Sequence, residues 1–396
     1  MKAVVVGVNY YTGLSALRSL GRAGVHVVAA DYDRKAYGLR SKYCAEHLML
    51  PPLSGDPKRL VDTLIDFAKK QDEKPLLFPT HDSYVHIVDE YFDELKAHFV
   101  FPQVTKGLFT ACCDKRLTAD LCRRYGVRIP PSVALDAPDL LETVKDQIGY
   151  PCIIKPDDST SFVRRFGCKV FIVADHSELE EKRTLMREAG LGGQVQRIIK
   201  GFDDHMYTYD AYVGQDGAVS HALTCQKKRQ WPINFGASTF IVQKHVPELH
   251  KIGAAFLEAI GWRGFAEIEF KKEEGTNDFY LIEINTRTTN FNSMIDACGI
   301  NMPYVCYRDM KGEPVPPLIM EEDLGQAFCY QYDDFFAKRA YLRTGQLTRK
   351  EIKQQEKGVR VTEALFAKDD LRPWFSFWSE RAGRLVKKIL RIDRKS

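Results

Sequence analysis

The chain has 396 residues, 44% of them hydrophobic and 28% charged, with a net charge of +4; that suits a folded soluble protein of two or three domains. No apolar run reaches the roughly 18 residues of a membrane-spanning helix. Eight basic and two acidic residues between Leu371 and Ser396 make that stretch +6, leaving −2 of the whole-chain +4 for residues 1–370, so charge argues against a nucleic-acid-binding body.

In chain order, "KAVVVGV" is a buried strand, "TGLSALRSLGRAG" a helix ending at Gly24, and "VHVVAADYD" a second strand. This opening is the start of a parallel, doubly wound α/β sheet. The loop "GVNYYTG" and Asp31 stand where a dinucleotide fingerprint would, but only Gly7 and Gly13 are present. Without a middle glycine the backbone cannot approach a pyrophosphate, so a substrate-binding or structural loop is expected. A helix over 56–70, a strand over 75–80 and a helix from Asp82 continue the alternation, and "HFVFPQ" closes the first domain. A helix follows from Asp114 to Tyr125, then a proline loop and the strands "YPCIIKP" and "GCKVFIV". Between them "DDSTSFVRRFGCK" is polar, ends in a glycine-containing turn and is able to fold over phosphates with hydroxyl and backbone donors. "GGQVQRIIKG" leads into strands "HMYTYDAYV" and "AVSHALT", joined at "QDG". A helix near 247–260 precedes "FAEIEFKK" and "DFYLIEIN". The expected boundaries are 1–105, 106–190, 191–310 and 311–396. Ten cysteines without CxxC spacing read as reduced thiols of a cytoplasmic protein, and ten histidines without HxxxH spacing as structural or surface groups.

The last two strands carry the chemistry. With the turn centred on Thr276, Glu269 faces Glu283 and Glu267 faces Asn285. Period two then puts Glu267, Glu269, Glu283, Asn285 and Arg287 on one face, and Ile268, Phe270, Ile282 and Ile284 on the other. Directly opposed like charges destabilise a hairpin. A divalent cation reverses that sign, and the oxygen ligands Glu269, Glu283 and Asn285 suit Mg²⁺ completed by phosphates. A solvated hairpin with scattered charge is the competing reading. Lys115 and Lys155 sit at the start of a helix and the end of an apolar strand, where an ammonium is costly unless it meets an anion.

In this order and spacing, "YPCIIKP", "KKRQWPINFG" and "EIEFK…LIEINTR" resemble the ATP-grasp ligases, in the carboxylate–amine ligase branch that includes D-aspartate ligase; the resemblance covers residues 1 to about 310. It implies an ATP-grasp fold of mixed α/β and α+β type, preceded by a doubly wound α/β domain and followed by a basic C-terminal extension. It also implies ATP and Mg²⁺ (or Mn²⁺, two ions) as cofactors, and an ADP-forming amide synthesis through an acyl phosphate. The substrates would be small-molecule carboxylates and amines, such as a D-aspartate-like amino acid and a peptide or cell-wall precursor. In this family Lys115 and Lys155 would hold ATP phosphates, Gln196, Arg197 and Ile199 would contact adenine, and Asp204 the ribose. Glu269, Glu283 and Asn285 would bind metal. Arg287 would stabilise the transferring phosphoryl group, and Lys227 and Arg229 would handle anions beside it. "SKYC" (41–44) and "PTHDS" (79–83) would help bind the acceptor. The chain departs from the family with Arg164–Arg165 and a lone Gly167 in the phosphate-covering loop, and with Arg197 where many relatives have an acid. Another ATP-grasp reaction, carboxylase or kinase, and a non-catalytic nucleotide-binding protein are the alternatives. The oligomeric state stays open, a dimer being compatible.

The tail gives two further readings. Trp378, Ala382, Leu385, Ile389 and Ile392 form an apolar stripe beside Arg381, Arg384, Lys388, Arg391 and Lys395, with Trp374, Phe375 and Phe377 just before. Such a helix lies on an anionic membrane surface, which would place the protein peripherally at its inner face, or docks on its own body.

Overall fold

The computed structural model describes residues 1–392, apart from the side chains of 159–160 and 385–392. In the first sheet β1 (Ala3–Val6) lies between β2 (Val27–Asp31) and β4 (Leu76–Pro79), with β3 (Glu46–Met49) outside β2, all parallel. Both faces of β1 and β2 are covered, which is why their sequences are unbroken apolar runs. The flanking helices are α1 (Tyr11–Arg22), α2 (Pro57–Ala68), α3 (Asp82–Glu90) and α4 (Phe92–His98). Asp56 caps α2 by accepting from the Lys58 N–H, and Pro57 takes the first helical position, where its missing N–H costs nothing. Asp31 accepts from the Asn9 and Asp33 N–H groups and is fully buried, so it pins the first loop and cannot reach a ribose.

Helices α5 (Leu108–Cys113) and α6 (Lys115–Arg124) lead into a small antiparallel sheet. Its strands β5 (Ser132–Ala134), β6 (Cys152–Pro156), β7 (Phe171–Val173) and β8 (Gly193–Arg197) run in the order β5-β8-β6-β7. Helices α7 (Leu140–Thr143), α8 (Ser159–Phe166) and α9 (His176–Glu188) complete a unit whose own core includes Ile154, Phe162, Val173, Met186 and Val195. Here the structure corrects the sequence reading. The expected phosphate-covering loop is largely α8: Asp158 caps it by accepting from the Ser161 N–H, and Gly167 ends it at φ 71°. Phe162 and Phe166, four residues apart, pack on Phe171 and supply the apolar face that makes this segment helical.

The third sheet runs β13-β12-β9-β10-β11-β15-β16, from β9 (Met206–Val213), β10 (Val219–Trp231), β11 (Ala237–Gln243), β12 (Gly264–Lys272), β13 (Phe279–Asn285), β15 (Gln326–Cys329) and β16 (Arg360–Glu363), while β14 (Leu318–Ile319) pairs with β10. Helix α10 (Pro247–Ala259) covers it, and α11 (Asn292–Ala297) and α12 (Met302–Met310) join it to the first domain, where Asn292 and Asn301 donate to Ser19. Phe265 of β12 packs against Phe78 of β4 at 5.1 Å. No described helix is long and apolar enough to cross a membrane.

After residue 310, β15 and β16 extend the third sheet, α13 (Gln331–Thr344) packs on β10 and β11, α14 (Arg349–Glu356) follows, and α15 (Arg372–Ile392) packs on the first domain at Tyr37 and on α13. Arg229, expected to handle anions, is fully buried and bound into this segment. Its Nε and Nη2 donate to Asp334 at 2.8 and 2.9 Å, Nη2 also to Glu356 at 2.9 Å, and Nη1 to Gln355 at 2.7 Å. Its guanidinium also lies 4.2 Å from the Phe240 ring centre. "SKYC" is likewise structural. The Ser41 hydroxyl and Lys42 N–H donate to Asp370, which also meets the buried Arg18 at 2.9 Å, and the Tyr43 hydroxyl donates to Asp369. Arg229→Met should lower unfolding free energy by about 3 kcal/mol in denaturant titration, the scale for removing one partner of a buried pair. The folded variant should keep its turnover; loss of turnover without loss of stability would restore the anion-handling role.

Candidate active site

The hairpin β12–β13 sets Glu267 opposite Asn285 and Glu269 opposite Glu283. The register slips by one residue between Glu269 and Phe270, so Phe270 faces Leu281 rather than Ile282. Leu281 is accordingly buried where Ile282 was expected, and Ile282 is half-buried. The acidic end of the hairpin lies before this irregularity and keeps its alternation. On the adjoining strand, Asp210 stands opposite Glu267 and Thr208 opposite Glu269. Asp210 is a site neighbour that the sequence reading passed over; its signal was the polar alternation of Thr208 and Asp210 within the otherwise apolar "YTYDAY".

This acidic strip carries charge that the protein opposes. Glu267, 5% exposed, is held well above the usual carboxylate range by burial and then by Glu269. Glu283 is exposed to solvent, yet it too is raised, by the surrounding protein first and Glu269 second. Asp210 is raised by burial and then by Glu267, and its Oδ1 is buried with no hydrogen-bond partner. Buried beside it without a partner are the Thr288 and Thr289 hydroxyls.

Cations converge on the strip from several elements. Lys227, 3% exposed on β10, reaches across β9 to Glu269 Oε2 at 2.8 Å; burial works against its charge, but Glu269 more than offsets it. Arg287 Nη2 donates to Asn285 Oδ1 at 3.1 Å, and its Nε meets Asp82 Oδ1 of "PTHDS" at 2.8 Å. Asp82, at the start of α3, thus ties the first domain to the strand end. Lys115, at the start of α6, donates to the Pro156 carbonyl. Lys155 at the end of β6 is pushed down to about 8, by desolvation first, with Lys115 adding to the effect against the pull of Glu283 and Glu269. Lys115 is lowered chiefly by desolvation as well. Lys115 and Lys155 thus lose proton affinity, while Glu267, Glu283 and Asp210 gain it. Glu269, Glu283 and Asn285 supply hard oxygen donors and suit Mg²⁺ on that ground.

The proposed nucleotide residues are spread along β8 and the turn after it. Gln196 and Ile199 are buried, and Asp204 lies in the turn before β9, its carbonyl accepting from Gln226 at 2.7 Å. Arg197 does not present its side chain to this hinge: its Nη2 bonds Glu273 and Tyr280 at 3.0–3.1 Å, making a strut between the small sheet and the hairpin.

No protein-family model matches the chain. Its sequence is 24% identical over 271 residues to the D-aspartate ligase of Enterococcus faecium (strain Aus0004), covering 64% of this chain and 63% of that protein. The chain thus spans less than two thirds of that curated relative. In structure it matches the biotin carboxylase domain of Hydrogenobacter thermophilus 2-oxoglutarate carboxylase, solved with MgADP, ADP and bicarbonate, with a TM-score of 0.63, 15% identity, and 82% of this chain and 73% of that one covered. It also matches the L-amino acid ligase of Bacillus licheniformis with a TM-score of 0.60, 16% identity, and 81% and 75% covered. The chain has the ATP-grasp fold. Within that fold Lys155 and Gln196 lie on β6 and β8 of the small sheet and Lys115 at the start of α6, while Lys227, Glu269, Glu283 and Asn285 lie on β10, β12 and β13 of the third sheet.

Lys155→Met should weaken ATP binding in calorimetry and raise Tm without nucleotide at pH 7. The sign follows from a folded pKa of about 8, below the free lysine value of 10.5: the penalty for burying charge is full below pH 8 and fades as pH rises to 10.5. The Tm gain should fade with it. A Tm that falls at pH 7 would show that Lys155 has a structural carboxylate partner.

Proposed function

We propose that the protein is an ATP- and Mg²⁺-dependent carboxylate–amine ligase that joins an amino acid to a second small molecule through an acyl phosphate. The observation that carries this reading is the strip Glu269–Glu283–Asn285, set between Lys115 and Lys155 on one side and Lys227 and Arg287 on the other. Likeness to proteins named D-aspartate ligase and L-amino acid ligase supports amide formation.

The balance is simple. A substrate carboxylate oxygen bonds the γ-phosphorus of ATP and ADP leaves; an amine nitrogen then bonds the acyl carbon, loses a proton and expels phosphate. Positioning and charge neutralisation carry such transfers, so the chain needs no covalent nucleophile. Lys115 and Lys155 would neutralise the phosphates, and Gln196, Ile199 and Asp204 would seat the nucleoside. Glu269, Glu283 and Asn285 would hold Mg²⁺ (or Mn²⁺, two ions), which when bound supplies positive charge to the phosphate oxygens. Arg287, fixed by Asp82 and Asn285, would stand at the transferring phosphoryl group, and Lys227 beside it. We place the protein in the cytoplasm, acting on small molecules rather than nucleic acid, with its basic C-terminal stretch at the inner face of the membrane.

ADP release screened over amino acids of both chiralities and peptide precursors tests the reading: release dependent on a carboxylate and amine pair, with amide found by mass spectrometry, supports it. Bicarbonate-dependent release without amide would replace it with a carboxylase, in line with the biotin carboxylase likeness. Glu283→Gln should lower turnover by roughly a thousandfold, about 4 kcal/mol of transition-state stabilisation. Tm without Mg²⁺ should hold or rise, because relieving opposed carboxyls helps the hairpin. Near-normal turnover in this variant would remove the metal assignment.

A further inference from the structure

Helix α15 is not a loose tail. Phe377 is 4% exposed and packs edge-on against Tyr37 at 5.9 Å and Tyr332 at 5.8 Å, while Arg381 stacks over Phe377 and Tyr332 at 4.0 and 4.2 Å. The start of α15 is therefore fixed to the body and to α13. Of the residues of the tail stripe, Lys395 and the side chains of Leu385, Lys388, Ile389, Arg391 and Ile392 lie outside the described residues. Removing 371–396 would also uncover Tyr37 and Tyr332, so it would test the fold rather than the surface.

Fixing Phe377 leaves other rings facing out. Phe335 and Phe375 are 56% and 59% exposed, and Phe336, Phe366 and Trp378 about two fifths. They form one connected face. Phe335 meets Phe336, Phe336 meets Tyr332, Tyr332 meets Trp378, and Trp378 meets Trp374, which touches Phe375 and Phe366, all with ring centres within 6.4 Å. Asp334 and Glu356 turn onto Arg229 and Lys338 and Asp370 onto Arg18, while Asp369 and Glu380 sit in surface pairs with Arg22 and Arg384. Exposed basic groups outnumber these surface acids, with Arg339 over the Phe335 ring at 5.5 Å, Arg343 on α13, Lys368 in the turn before α15 and Arg372 at its start. The chain then continues into a stretch with five more basic residues after Arg384.

We propose that the α13–α15 face docks on an anionic lipid bilayer, its rings entering the headgroup layer and its arginines and the basic stretch meeting lipid phosphates. Amphipathic aromatic rings favour that layer, and each basic residue near an anionic surface adds to the attraction. The charge also argues against a second copy of this chain as the occupant, since two such faces would set like charges together. This extends the tail contact proposed above to a rigid face, and it stands or falls independently of the ligase reading.

Cosedimentation of the full chain with phosphatidylcholine vesicles, with and without phosphatidylglycerol, tests it. Binding should require phosphatidylglycerol and weaken with added salt. The pair Phe335→Ser and Phe375→Ser should bind about tenfold less, with Tm unchanged because both rings are exposed. Truncation after Arg384 should weaken binding without abolishing it. Undiminished binding by the double variant, or complete loss on truncation alone, would assign the contact to the tail and overturn the face. Equal binding to neutral vesicles would overturn it too, as would a concentration-dependent dimer that the double variant abolishes.

Discussion

Two carboxylates on paired strands, Glu269 and Glu283, face each other across a β-ladder, with Glu267 and Asp210 packed just behind. Cβ atoms of opposed residues lie about 5 Å apart, where like charges repel and low dielectric sharpens the repulsion. Burial and these neighbours raise Glu267 and Asp210 above the usual carboxylate range, and Lys227 is placed on Glu269. None of these would be needed on a solvated hairpin, and the proposed divalent cation would relieve them. The surrounding architecture follows that need. β10 delivers Lys227 across a neighbouring strand, β6 brings Lys155, and α3 supplies Asp82 to hold Arg287 at the strand end.

The segment after residue 310 has a second role, as scaffold. Arg229 lies two residues beyond Lys227 on β10 yet belongs to a different network, closed by Asp334, Gln355 and Glu356. A register irregularity in the β10–β11 pairing between Lys227 and Arg229 accompanies this division of partners. The same segment is clamped to the first domain through Arg18, Ser41 and Asp370, so its helices form a rigid outer face.

Much of the site was legible because it depends on period and pairing. The alternation in "FAEIEFKK" and "DFYLIEIN" was enough to set Glu269 against Glu283, and only the residues beyond Glu269 moved, by one place, at an irregularity that no local pattern announces. What failed depended on partners remote in sequence. Arg229 reads as an anion ligand until Asp334, 105 residues later, is seen to hold it. "SKYC" became a clamp only through Asp370, far along the chain. The segment 159–166 misled for a different reason: its serines, threonine and arginines suggested a turn, while the Phe162–Phe166 spacing and the Asp158 cap made a helix.

Manganese spin counting by electron paramagnetic resonance, with a non-hydrolysable ATP analogue, tests the central claim that the hairpin acids form a metal seat. The account requires two Mn²⁺ ions per chain in the wild type. In a Glu269→Gln, Glu283→Gln double variant these ions should be lost, while the analogue is still held through Lys115 and Lys155. An unchanged manganese count in the double variant would contradict it.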